Sequence, residues 1–373
     1  MNPSNKYTNM EGIHTLNTGK YPDIDQSIWH KLLKDFGCPI HHIDQETTVR
    51  VLDQAAHHGI GEGTTLISKW ALYLAPLTPA ERTLFMEDVR KSTDLLVQII
   101  QTLPSYPLLQ DADINKALPL YPVQASKNLY TPENIGKRFI SIDLKEAAFT
   151  ALKTWNNMNV GEDISRMNCT YAEFVRRHIE GPVAEYLIDS KRLRQVIFGH
   201  TSPKRLMHIE YWQIQSIAKV ISTERGLIPI CMNNDEVIYE YTPQLWSWLK
   251  CIYDPDIHHI TEFTLEAWHL LQEGHPGRNT STPPFCYTGD NIYVKTGTAW
   301  NGFGETLDVT LTPYTSFKKV GARFRIPFAL LYNNPGNAEA ISAALSILDL
   351  PEFVDGYYRW NTVPGVTWRI EKI

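Results

Sequence analysis

Phe139-Ile140-Ser141-Ile142-Asp143-Leu144-Lys145-Glu146-Ala147-Ala148-Phe149 changes character half-way along. Its first half is a short apolar strand pattern that closes on an acid, Asp143. Its second half, continued by Ala151 and Leu152, is a helical run. A second stretch answers it further on. Ile228 to Met232 is apolar, Asn233-Asn234-Asp235 reads as a turn, and Val237-Ile238-Tyr239-Glu240-Tyr241 reads as the returning strand. The expectation is a hairpin with Asp235 and Glu236 at its tip, in the same sheet as the strand that ends in Asp143.

The chain between these strands reads as helical. Thr170-Tyr171-Ala172-Glu173 is a capping box, in which hydroxyl and carboxylate satisfy each other's backbone donors. That helix should stop at Gly181-Pro182, with another from about Val183 to Phe198. Ser202-Pro203 offers an N-cap and a first-turn Pro, and Gly226 a stop. The helix between them should bury Leu206, Ile209, Ile217 and Val220 beneath the sheet. Further out, Asp25 to Leu103 is helical in pattern, and Pro104, Pro107, Pro119, Pro122 and Pro132 mark a long connection. Leu265 to Leu271 looks helical, 280–332 is strand-rich, and one helix spans about Ala338 to Leu350. The expected organisation is a polar arm (1–24), a helical region with a Pro-rich connection (25–130), a core (131–250) and a mixed, β-rich C-terminal region (251–373).

Of 373 residues, 43% are apolar and 20% charged, which excludes a largely disordered chain. Lys+Arg is 35 and Asp+Glu is 41; a net charge of −6 excludes a uniformly basic nucleic-acid coat but not a local basic groove. No apolar run is long enough to cross a bilayer, and the polar start, Met1 to Lys6, lacks the apolar centre of a signal peptide. Five widely spaced cysteines without a Cys-x-x-Cys are expected to be reduced thiols in a cytoplasmic, reducing compartment.

Asp143, Asp235 and Glu236 are three carboxylates at strand ends, an arrangement suited to divalent metals. Phosphoryl transfer uses Mg²⁺, or Mn²⁺, bridged by such acids. Between them, Arg176 to Arg225 carries nine Lys/Arg and five acids, 9 − 5 = +4, inside a chain of net charge −6. A basic helix facing an acidic metal site suits a triphosphate.

The segment from Phe139 to Phe149 resembles motif A of palm-domain polymerases, most nearly the Asp-Leu-Lys-Asp-Ala-Phe style of reverse transcriptases. Ile230-Cys231-Met232-Asn233-Asn234-Asp235-Glu236-Val237-Ile238-Tyr239-Glu240 resembles motif C of family A DNA polymerases, with Asn234 where that family has His. Lys191-Arg192-Leu193-Arg194-Gln195-Val196-Ile197-Phe198-Gly199 is similar to the family A fingers helix, and Phe198-Gly199 with Ser202-Pro203 to reverse-transcriptase motif B. The order A, B, C is kept over Lys137 to Tyr241. The interval from Phe198 to Asp235 is too short for full family A fingers, and Ala148 falls at the sugar-gate position, with Phe149 one residue later.

The resemblance implies an α+β fold: a palm-like antiparallel sheet with flanking helices, a helical N-terminal region and a mixed β-rich C-terminal region. It also implies a metal-dependent nucleotidyltransferase acting on nucleoside triphosphates and a nucleic-acid primer. Asp143 and Asp235 would hold Mg²⁺ or Mn²⁺, Glu236 would assist, and Lys191, Arg194, Lys204 and Arg205 would contact the triphosphate. The C-terminal region would be a thumb or a surface for a protein partner. The alternative is a non-catalytic structural or assembly protein, viral in type, with a palm-like core.

Three other signals weigh less. Lys295-Thr296-Gly297 matches an element of penicillin-binding proteins, but the Ser-x-Asn that should follow the Ser-x-x-Lys precedes it. Gly59-Ile60-Gly61-Glu62-Gly63 lacks the Lys of a phosphate-binding loop. Cys38, His41 and His57 are possible zinc ligands, though His57-His58 also suits a helix C-terminus.

Overall fold

β1 (Arg138–Leu144) occupies the centre of the sheet, antiparallel to a strand on either side. The computed structural model describes residues 24–38, 62–125, 128–160, 167–252, 257–273, 285–286, 291–301, 310–321, 324–348, 352–354, 357–359 and 367–373. Most of the polar arm, His41 and His57 of the zinc alternative, and Gly59 and Gly61 lie outside the described residues.

Asp25 caps α1 (Gln26–Asp35) by accepting the Ile28 N–H. After α2 (Glu62–Leu74), Thr78 and Glu81 form a capping box at α3 (Pro79–Gln101). The break expected at Pro104 is brief. α4 (Ser105–Asp111) carries Pro107 in its first turn, where the missing N–H leaves no bond unmade, and α5 (Ile114–Ala117) follows. β1 leads into α6 (Ala147–Val160), and α7 (Tyr171–His178) starts from the Thr170–Glu173 capping box.

The helix expected from Val183 to Phe198 is two, α8 (Gly181–Asp189) and α9 (Lys191–Gly199). The break is Ser190. Its buried hydroxyl accepts the Leu193 N–H and donates to the Asp35 carbonyl at 2.6 Å, fastening the junction to α1. α8 also meets α3, and Tyr186 sits against Phe36, Trp70 and Phe85. Helices from both sides of residue 131 therefore share one core.

α10 (Pro203–Arg225) has the expected Pro at its start and a left-handed Gly226 at its end, but Ser202 is itself left-handed and its side chain caps nothing. Val220, expected in the core, is 48% exposed. The helix does not bury one continuous stripe. Leu206 and Ile209 belong to the helical core, whereas Ile214, Ala218 and Ile221 turn to the sheet, with Ile217 partly buried beside them.

β2 (Cys231–Met232) and β3 (Glu236–Glu240) form the expected hairpin, followed by α11 (Pro243–Ile252). β4 (His258–Glu273) runs through the stretch expected to be helical, Leu265 to Leu271. There Phe263, Leu265 and Ala267 are buried and alternate with half-buried Thr264, Glu266 and Trp268, the period of a strand. β5 (Phe285–Cys286), β6 (Ile292–Asn301) and β7 (Thr310–Lys318) precede α12 (Arg325–Asn333) and α13 (Ala338–Leu348). A separate hairpin, β8 (Glu352–Val354) and β9 (Tyr357–Arg359), and β10 (Thr367–Lys372) end the chain.

The sheet order is β2-β3-β1-β4-β6-β7, antiparallel throughout, with β5 and β10 also on β4. β4 carries β1 and then β10 along one edge, so the sheet crosses the boundary expected at 250/251. The fold is α+β, with helices flanking an antiparallel sheet as expected. One sheet face (Ile140, Ile142, Val237, Tyr239, Ile260) packs on α10 and α11. The opposite face carries Phe139, Ser141, Asp143, Glu236, Ile238, Phe263 and Lys295. Residues 129–135 cross part of it, burying Leu129 against Phe139, Phe263 and Tyr293. Among the described residues, no helix is long and apolar enough to cross a membrane.

Candidate active site

Asp143 lies directly across from Glu236 in the β1–β3 ladder. The hairpin turn closes with an Asn233 N–H to Glu236 carbonyl bond, and the Leu144 N–H donates to the Asp235 carbonyl at 2.8 Å. These bonds bring the three acids expected from sequence to one end of one sheet. Just beyond, Glu146 has a left-handed backbone (φ +50), a conformation that costs a non-glycine residue about 1 kcal/mol or more. It makes the sharp turn from strand into α6, and Arg194 holds its carboxylate at 3.2 Å.

The charges at this end are unequal in their surroundings. Burial, then Asp235 and Glu236, pushes the Asp143 carboxyl up to about 7; Lys295 and Lys191 oppose this. A fourth acid that the sequence did not single out, Glu210 of α10, is pushed up to about 7 by burial and then by Asp235. Glu236 behaves oppositely. Burial would raise it, but the Lys295 ammonium at 2.8 Å and the Ser141 hydroxyl at 2.6 Å outweigh burial and hold its carboxyl low. Glu236 holds Lys295, itself 1% exposed, above its ordinary range despite burial. Lys318 of β7 also faces Asp143 and Glu236; burial and then Lys295 lower it.

The expected substrate contacts divide. Lys191, exposed at the start of α9, faces Asp143 and Lys318. Arg194 is engaged by Glu146 and lies 5.3 Å from the Tyr171 ring centre. Arg205 points elsewhere, donating to the Ala112 carbonyl at 2.6 Å, and Lys204 is exposed two positions after Ser202. Phe149 is buried against Tyr171, Phe174 and Phe198, so its ring belongs to the helical core.

Lys295, Lys318 and Glu210 were missed because each is remote in sequence from the three acids. Lys295 did carry a signal: a charge inside the strand-like Tyr293-Val294-Lys295-Thr296 invites a buried partner. Gly297 next to it has a different meaning from the penicillin-binding element. A Cβ there would lie 1.9 Å from the Glu262 carbonyl oxygen, so only glycine lets β6 approach β4 this closely.

Asp143 and Asp235 offer two carboxylates, and Mg²⁺ takes one or two together with waters and substrate phosphates. Among the described residues no set of three His, Cys, Asp or Glu side chains closes on one point. The pair fits a hard cation that keeps most of its waters, and a dedicated protein cage is not what these residues build. Protein-family models, curated proteins and solved structures, searched for relatives of this chain, give no match.

Proposed function

We propose that the protein is a metal-dependent nucleotidyltransferase acting on a nucleoside triphosphate and a nucleic-acid primer. The observation that carries this reading is the union, at adjacent strand ends, of Asp143 with the Asp235–Glu236 hairpin tip. Two carboxylates there, one of them pushed up to about 7, form a site whose repulsion a divalent cation would relieve. When bound, such a cation neutralises phosphate charge and favours the attacking oxygen's deprotonated form. Asp143 and Asp235 would hold it. Lys191 stands near Asp143 on the helix side, where it would meet the anionic tail of the nucleotide. The β-rich C-terminal region would serve as a thumb or a partner surface.

The direct test is Mg²⁺- or Mn²⁺-dependent incorporation of labelled nucleotides. Wild type should incorporate label and gain thermal stability from the metal, most with triphosphate present. Asp143→Ala and Asp235→Asn should do neither.

A second reading has its own support. Glu236 is already neutralised by Lys295 and hydrogen-bonded by Ser141, a pairing that needs no metal, as in a structural or assembly protein that keeps the sheet without the chemistry. No incorporation, with identical melts in metal and in chelator, would favour it.

A further inference from the structure

We infer that Lys295 is a positioning residue that withdraws Glu236 from the cation site, leaving Asp143 and Asp235 as the carboxylates that hold the metal. This rests on the metal-site reading above and names what limits that site's ligand set.

Position alone would make Glu236 a ligand, because it is the direct cross-strand partner of Asp143 on the same sheet face. Like charges directly opposite each other destabilise a ladder. The chain resolves the conflict from another strand. Lys295, on β6, brings its ammonium within 2.8 Å of Glu236 Oε1, and Ser141, two residues before Asp143, donates to the same oxygen at 2.6 Å. Both donors take Oε1, and the ammonium beside it neutralises the carboxylate and repels a second cation, so Oε2 is left a poor metal ligand.

Lys295 is built for this task rather than for reaching substrate. Its side chain is 2% exposed, and its Nζ lies 4.6 Å from the Phe263 ring centre and 5.9 Å from that of Tyr130. Gly297, two residues on and on the same face, allows β6 to seat directly against Phe263 of β4, which fixes the strand that carries Lys295. The consequence for metal binding is specific. A third carboxylate would tighten the cation and displace waters that substrate phosphates must replace. By occupying Glu236, Lys295 keeps the cation weakly held and open.

The test titrates the full chain with Mn²⁺ alone at pH 8, following free Mn²⁺ by electron paramagnetic resonance. Wild type, Asp143→Asn, Lys295→Met and the double variant Lys295→Met/Glu236→Gln are compared. The double variant removes one positive and one negative charge together, which buried pairs commonly tolerate. Lys295→Met should bind Mn²⁺ several-fold more tightly than wild type, because Glu236 is released. The double variant should return to within about threefold of wild type, while Asp143→Asn weakens binding about tenfold or more. A double variant as weak as Asp143→Asn would make Glu236 itself a ligand and overturn the inference, as would a Lys295→Met protein that binds no more tightly. If Lys295→Met does not fold, the double variant decides alone. Absence of Mn²⁺ binding by wild type would instead remove the metal-site reading, and this inference with it.

Discussion

Several carboxylates in the helical part of the molecule are matched to donors, whereas Asp143 and Asp235 at one end of the sheet are not. Asp189 accepts from Lys69 at 2.7 Å and from Trp70 at 2.9 Å; Asp35 accepts from Tyr186 at 3.0 Å and pairs with Lys31 at 3.2 Å. Glu185 takes two bonds from Arg176. On the sheet, Glu236, Glu262 and Glu266 have such partners: Lys295 and Ser141 for the first, Arg138 for the second, and Lys372, Trp268 and Tyr332 for the third. Among the described residues, neither the Asp143 nor the Asp235 carboxylate has a side-chain hydrogen-bond or ion-pair partner, although both lie beside other acids. One region spends its charges on holding helices together. The other leaves repulsion standing where a ligand could relieve it, and unrelieved repulsion in a fold is a pointer to function.

Two lysine deletions should separate the regions most widely. Lys295→Ala leaves Glu236 charged, half-buried and without its cation, and should destabilise by about 3–5 kcal/mol. Lys69→Ala removes a lysine that is 33% exposed, and Trp70 still serves Asp189, so about 1 kcal/mol or less is expected. Urea denaturation of both variants checks this, and similar losses would break the comparison. Gly297→Ala belongs with the first group: its Cβ collides with backbone rather than with a side-chain end, and about 3 kcal/mol is expected from the same measurement.

Amide substitutions should differ in sign. Asp189→Asn weakens the bond to Lys69 and should cost about 1 kcal/mol. Asp143→Asn removes repulsion and should stabilise the metal-free protein at pH 8, on the order of 1–2 kcal/mol once solvent at the exposed Asp235 is allowed for. The pH dependence follows from the direction of the shift. Asp143 goes from 3.8 to about 7 on folding, so between these values the folded state binds more protons than the unfolded state. Wild-type stability from this group therefore falls as pH rises through that window. The Asn variant's advantage should be absent near pH 4 and fully grown above pH 7. Asp235, Glu236, Lys295, Lys191 and Lys318 all face this group, so the comparison is made in chelator at fixed salt. An advantage that shrinks with rising pH would show the repulsion to be wrongly placed.

The smallest contrast is between two serines. Ser141→Ala removes the second donor to Glu236, and Ser190→Ala removes the cap of α9 and the bond to Asp35. Each should cost about 1–2 kcal/mol by urea denaturation. Only Ser141→Ala should change Mn²⁺ affinity; an equal change in Ser190→Ala would mean that the metal responds to general loosening.

The sequence by itself determined the local parts of this arrangement. An apolar run ending in Asp143, a turn at Asn233-Asn234-Asp235 and the strand after it specified three strands. Thr170-x-x-Glu173 specified a helix start, and Pro203 and Gly226 the limits of α10. These are signals between residues a few positions apart, where backbone geometry and capping chemistry act directly. What only the tertiary structure decided depends on neighbours distant in the chain. Leu265 to Leu271 has an apolar content compatible with a helix, and pairing with β5, β6 and β10 made it a strand. Ser190 broke a helical pattern because the Asp35 carbonyl stood beside it. Lys295 entered the acid cluster 59 residues after Glu236, through a strand that Gly297 lets approach closely. Such contacts are set by burial and charge pairing across the assembled sheet, and no window of adjacent residues contains both partners.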